Sequence, residues 1–115
     1  MNGPQTIALT LIGGPTLLIE IGGLRLLTDP TFDAAGTSYP LPHTTLQKTA
    51  GPAIPAAAIG DLDAVLLSHD QHSDNLDNAG RALLARVPAT FTTQAGAARL
   101  GGTAQGLAPW QSAMW

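Results

Sequence analysis

Seven consecutive residues, Ser68-His-Asp-Gln-His-Ser-Asp74, place two imidazoles, two carboxylates, two hydroxyls and an amide directly after the apolar run Ala64–Leu67. The run reads as a buried strand, and the polar cluster as its C-terminal end, where open α/β sheets bring ligands and cofactors. Imidazole and carboxylate donors together suit zinc, iron or manganese. The candidate metal ligands are therefore His69, His72 and Asp74, with Gln71 or Asp70 as a fourth, and zinc is the first choice of ion. Asp74 is also the candidate catalytic group, placed to orient a water or accept its proton. The same residues allow a structural reading: Ser73 as a helix N-cap, Asp74 and Asp77 complementing the macrodipole, and His69 and His72 as ordinary loop residues.

Several elements must position this turn. Thr6–Ile12 is expected as a first strand with a turn at Gly13-Gly-Pro15, and Thr16–Ile21 and Leu24–Asp29 as a hairpin closed by Gly22-Gly23. A two-residue Gly-Gly loop supplies the positive φ of a primed turn. Its register sets Ile21 opposite Leu24, Glu20 opposite Arg25 and Ile19 opposite Leu26, so one face is wholly aliphatic. Glu20 and Arg25 form a cross-strand charge pair on the other face. Asp29, ahead of Pro30, reads locally as a turn residue. Residues 31–60 carry Pro40, Pro42, Pro52 and Pro55 and read as a long binding loop, with Tyr39 and His43 near its tip and a short helical turn within 52–59. His43 is either a substrate contact or an exposed loop residue.

Downstream, Leu76, Ala79, Leu83, Leu84 and Val87 recur at helical spacing and predict a helix over 74–87. A strand over 89–93 and a short helix over 94–100, stopped by Gly101-Gly102, follow. Strand, helix and strand make a parallel βαβ unit. The tail, Leu107–Trp115, is apolar and without period, which implies that it docks on something.

Two segments in this order resemble a known family. Val65-Leu-Leu-Ser-His-Asp70, with Asn75-Leu-Asp77 after it, is similar to the metal-binding turn of the metallo-β-lactamase superfamily, His-x-His-x-Asp-His after an apolar strand. Thr16 to Asp33 resembles the opening hairpin of the branch containing ascorbate-phosphate lactonases and N-acylphosphatidylethanolamine phospholipases. One extra residue separates His69 from Asp74. Counted forward from His69, the second histidine position holds Gln71; counted back from Asp74, it holds His72, the first becomes Asp70, and the last histidine becomes Asn75. The resemblance implies an α/β fold, half of an αββα sandwich with a mixed sheet, a hairpin followed by the βαβ unit. It also implies a metal-dependent hydrolase using metal-bound water on an ester, lactone or phosphodiester, and a role for Asp29 beneath the metal turn, organising its backbone. The other half of that fold would carry the remaining ligands, so a second expectation is a non-catalytic half-domain that folds and associates.

Composition sets the outer limits. With 115 residues, 44% hydrophobic and 11% charged, 13 Gly and 9 Pro, the chain reads as one domain, 1–115, with a modest core. Mean hydropathy is +0.15 and the pI near 5.3. A net charge of −3 offers no field for nucleic acid or an anionic membrane, so the expected ligand is a small molecule. There is no cysteine, which removes disulfides, thiolate metal sites and a thiol nucleophile. Met1–Pro4 has neither a basic nor an apolar signal-peptide region, and Ile7–Leu27 is broken by Glu20, Arg25 and two Gly-Gly pairs, so a cytoplasmic protein is expected. The aliphatic hairpin face and the doubly apolar Ala64–Leu67 exceed what one helix covers. This predicts a homodimer, sheet on sheet, with folding back of the tail as the alternative.

Overall fold

The computed structural model describes residues 6–114; Met1–Pro4 and Trp115, on which the signal-peptide and tail expectations partly fall, lie outside the described residues. Strands β1 (Ile7–Gly13), β2 (Thr16–Ile21) and β3 (Leu24–Thr28) form an antiparallel meander. A small hairpin, β4 (Ser38–Pro40) and β5 (Thr45–Gln47), and a 3-10 turn at Ala56–Ala58 occupy the segment read as an irregular loop. Then come β6 (Ala64–Leu66), α1 (Asn78–Leu84), β7 (Thr90–Thr93), α2 (Gln94–Leu100) and β8 (Ala104–Leu107). The six-stranded sheet runs β1-β2-β3-β6-β7-β8, antiparallel across the meander and parallel from β3 onward. It is a mixed α/β sheet with few helices.

The meander has the register that the Gly-Gly turn dictates. Gly22 and Gly23 sit at φ +56 and +82, Ile21 pairs with Leu24, and Glu20 with Arg25. The Arg25 guanidinium reaches Glu20 at 3.3 Å and also donates to the Asp61 carbonyl, while the Arg25 backbone N–H donates to Asp63. These contacts tie the meander to the approach of β6.

One sheet face carries the core. Leu18, Leu27 and Val65 line up across neighbouring strands and pack with Ile12, Ile59, Leu83 and Val87, all buried. The opposite face continues the aliphatic set of the hairpin. Register aligns Ile7, Ile21 and Leu24, then Leu9, Ile19, Leu26 and Ala64, while Leu66 and Phe91 extend the face at the other end. Leu9 and Leu11 remain 63% and 64% exposed.

Three expectations need correction. Helix α1 begins at Asn78, not 74, because its N-cap is Asp77, whose side chain accepts the Gly80 N–H; Ser73 caps nothing. Residues 73–75 form a turn instead, with the Asn75 and Leu76 amides donating to the His72 carbonyl. A strand, β8, was not expected from Ala-Gln-Gly-Leu, and exists because the exposed edge of β7 pairs with it in parallel. Beyond Leu107, which ends β8, the described tail to Met114 does not fold back over the sheet: Trp110 is fully exposed, and Gln111 closes a local turn onto Ala108. Among the described residues no helix is long and apolar enough to cross a membrane.

The seat of α1 admits no side chain at Gly80. A Cβ there would lie 1.8 Å from the Pro30 carbonyl oxygen, a backbone atom. Helix propensity alone would make Gly80→Ala stabilising by about 1 kcal/mol. The clash reverses the sign, and the expected result in urea denaturation is a loss of about 1–3 kcal/mol.

Candidate functional site

The turn after β6 is held from below by Asp29. This residue has left-handed φ (+28), rare for a residue with a side chain, and is fixed there from three sides. Its N–H donates to the Leu66 carbonyl, its own carbonyl accepts the Thr16 hydroxyl at 2.7 Å, and Pro30 follows. So fixed, its carboxylate accepts the Ser68 N–H at 2.7 Å and the Ser68 hydroxyl at 2.8 Å. The Asp29 side chain thus organises the backbone at the start of the turn.

This contact determines how His69 is oriented. Ser68 Oγ has one proton and gives it to Asp29, so at 3.0 Å from His69 Nδ1 it can only accept. His69 is then the Nδ1–H tautomer with a bare Nε2. That Nε2 faces His72 Nδ1 at 3.4 Å, the two rings meeting edge to face with centroids 5.1 Å apart. Ser68 lies within the segment that resembles the metal turn, but its partner is 39 residues away, so neighbouring sequence could not reveal its role.

The other candidates have distinct fates. Asp70 is buried and forms a two-pronged pair with the Arg99 guanidinium of α2, at 2.6 and 2.8 Å. The Arg99 hydrogen bond, partly opposed by burial, holds Asp70 below its ordinary carboxylate value. It is therefore a brace between turn and α2, with both oxygens committed to Arg99. Gln71 is exposed. Asp74 is exposed and makes no hydrogen bond or ion pair among the described residues. Asn75, at the last histidine position, is buried; its amide donates to the His69 carbonyl, and its Oδ1 has no partner.

Behind the turn, two carboxylates hold the start of α1. Asp77 accepts the Phe32, Asp33 and Gly80 amides and the Lys48 ammonium, the last at 3.0 Å. Asp33 accepts the Tyr39 hydroxyl and the Asn78 and Ala79 amides. Burial pushes Asp33 up, but those three donors and nearby Lys48 outweigh it and hold the group below its ordinary value. Burial and the same contact push the Tyr39 phenol up. His43, in the β4–β5 turn, is exposed.

Two imidazole nitrogens bound at about 2.0–2.1 Å in a tetrahedral site lie about 3.3–3.4 Å apart. The His69 and His72 nitrogens already have that spacing, and His69 donates its other N–H to a second group, as metal-bound histidines do. The pair therefore fits two positions of such a site. Among the described residues no three His, Asp or Glu side chains converge as a complete set.

Comparison with known proteins gives partial matches. Over 71 residues the chain is 38% identical to uncharacterized proteins of Mycobacterium tuberculosis and Mycobacterium bovis, a match covering 62% of this chain but 18% of each of theirs. Among solved structures, the isothiocyanate hydrolase from Delia radicum gut bacteria aligns with a TM-score of 0.70 at 22% identity, over 87% of this chain and 41% of that one. No family model matches. The chain thus shares its fold with part of a larger α/β protein and spans less than a fifth of the curated relatives' length.

The orientation of His69 can be checked directly. A long-range 1H–15N correlation spectrum at pH 8 is expected to show His69 as the Nδ1–H tautomer. In Ser68→Ala, which removes the one acceptor at Nδ1 among the described residues, His69 is expected to shift toward the Nε2–H form common for free imidazole, with the fold unchanged.

Proposed function

We propose that this chain carries the metal turn of a metal-dependent hydrolase with the metallo-β-lactamase-type fold, acting on an ester, lactone or phosphodiester. The observation that carries the reading is the Asp29–Ser68–His69 chain, which leaves a bare imidazole nitrogen 3.4 Å from a second one at a strand end. His69 and His72 hold the ion, and Asp74, the uncommitted carboxylate of the same turn, completes the set or accepts a proton from the attacking water. A divalent ion bound there would supply Lewis acidity toward the substrate and lower the pKa of a water. Asp29 and Ser68 act through His69, fixing its tautomer and ring direction. That a structural neighbour is a hydrolase, by its name of an isothiocyanate, supports hydrolysis at an electrophilic carbon. A contrary reading, a half-domain that associates without catalysis, is favoured by Asn75 at the last histidine position and by the engagement of Asp70 with Arg99.

Elemental analysis of protein purified without chelator separates the readings. One equivalent of zinc, manganese or iron, lost in His69→Ala and His72→Ala, is expected. A panel of p-nitrophenyl esters, a lactone and bis-p-nitrophenyl phosphate should then show a metal-stimulated rate that falls about 10²–10⁴-fold in Asp74→Ala. Metal well below one equivalent, unchanged by either histidine variant, sinks the site. Bound metal with no turnover of any substrate selects the non-catalytic reading.

The proposed assembly is a homodimer through the open sheet face. The face presents aliphatic side chains from β1, β2 and β3, and the register places no charged side chain on it. A twofold axis sets each patch against itself, which an uncharged surface tolerates without like-charge repulsion. Burying each aliphatic side chain contributes about 1.5–3 kcal/mol. Light scattering coupled to size exclusion is expected to return twice the chain mass of 11.8 kDa, and Leu9→Lys with Leu11→Lys to return the single mass. A single mass for the unaltered chain at micromolar concentration would rule the dimer out.

A further inference from the structure

A cavity of about 480 Å³ opens beside the histidine turn, reaching it at Ser73 and Asp74. Its far walls are the Gly13-Gly14-Pro15 turn, Leu46 on β5 and the Ala50-Gly51-Pro52 segment. We infer that this cavity is the subsite for the uncharged, apolar portion of the substrate, an alkyl or aryl acyl group, so that the hydrolase acts on esters or lactones of neutral acids. The inference rests on the hydrolytic reading above only for the word substrate; the binding itself is a property of the cavity.

Charge carries the argument. An anionic group entering the cavity is held most strongly by an uncommitted cation. Lys48 is the one basic residue in the wall, and its ammonium is drawn 3.0 Å onto buried Asp77, leaving no net charge to offer. The Tyr39 hydroxyl is donated to Asp33, and the Thr31 hydroxyl is taken up by Thr16 at 2.6 Å. Asp74, the other charged residue of the wall, is a carboxylate at the end nearest the histidines, and it repels anions. The other polar side chains of the wall, Gln47, Thr49 and Ser73, are neutral, and beside them lie the apolar Pro15, Leu46 and Pro52, with Leu46 left 44% exposed on a two-stranded hairpin where it fills no core. The volume lies within the range of small-molecule sites. The β4–β5 hairpin is the wall that selects, because Tyr39 and Lys48, which directly follows β5, fix it to Asp33 and Asp77 and leave Leu46 as its apolar side chain on offer.

Two probes that differ only in charge test this without metal and without turnover. The full 15N-labelled chain is titrated with acetophenone, a neutral ketone shaped like a phenyl ester, and with 4-acetylbenzoate, the same molecule bearing a carboxylate. Acetophenone is expected to shift the amide signals of Gly14, Leu46, Gly51 and Ser73 saturably, and 4-acetylbenzoate at equal concentration to leave them in place. Leu46→Lys, at an exposed position where the folded spectrum should persist, is expected to weaken acetophenone about tenfold and to strengthen 4-acetylbenzoate about fivefold, the effect of one added charge. Equal or tighter binding of 4-acetylbenzoate to the unaltered chain overturns the proposal. So does the absence of saturable shifts at those amides, or indifference of both probes to Leu46→Lys. Failure of the metal or turnover experiments leaves this result standing, and the reverse also holds.

Discussion

Everything that surrounds the histidine turn depends on two carboxylates removed from water at the start of α1. Asp77 satisfies three backbone amides and one ammonium, and Asp33 a phenol and two more amides. A buried charge is tolerated only when so surrounded. The helix it starts has seven residues, too few to persist in isolation. It stands because its free N–H groups meet carboxylates from both its own N-cap, which takes the Gly80 amide, and Asp33, which takes the Asn78 and Ala79 amides from 45 and 46 residues earlier in the chain. The same contacts fix residues 31–33, and through Pro30 they hold Asp29 in its left-handed conformation. The geometry beneath His69 is thus inherited from a cap.

That arrangement explains what was readable in the amino-acid sequence. Local chemistry decided some elements. Gly22-Gly23 permits one turn and one register, and Thr93 with Gly101 brackets α2 by an N-cap and a positive-φ stop. The start of α1 was not local. Ser73, Asp74 and Asp77 are all good N-caps by type, and the choice among them is made by the Phe32 and Asp33 amides, which only Asp77 reaches. The β4–β5 hairpin was obscured by Pro40 and Pro42. β8, Ala-Gln-Gly-Leu, has no β-branched residue, so its strand character comes from pairing with β7 alone.

The site divides the same way. Residue types pointed to His69, His72 and Asp74, and the structure brings the two imidazoles together while leaving Asp74 on the exposed side of the turn. Asp70, equal to Asp74 by type, is distinguished by Arg99, which lies 29 residues further on and whose guanidinium takes both of its oxygens. Ser68 matters because one hydroxyl proton cannot serve two acceptors. Such constraints belong to pairs of residues distant in the chain, and no periodicity or spacing encodes them.

The order of strands has a consequence for how the molecule comes together. β1, β2 and β3 pair with their immediate neighbours across two-residue turns, and hairpins of this kind close in about 1–10 μs. The next pairing, β3 with β6, joins Leu26 to Ala64 and must first close the intervening segment. Long-range parallel pairing of this sort is slow. The cradle of the histidine turn straddles that step, with Asp29 on the early side and Ser68 on the late side. An intermediate holding only the meander would therefore display the aliphatic sheet surface before any metal-binding geometry exists, and nascent chains would meet one another first through that surface.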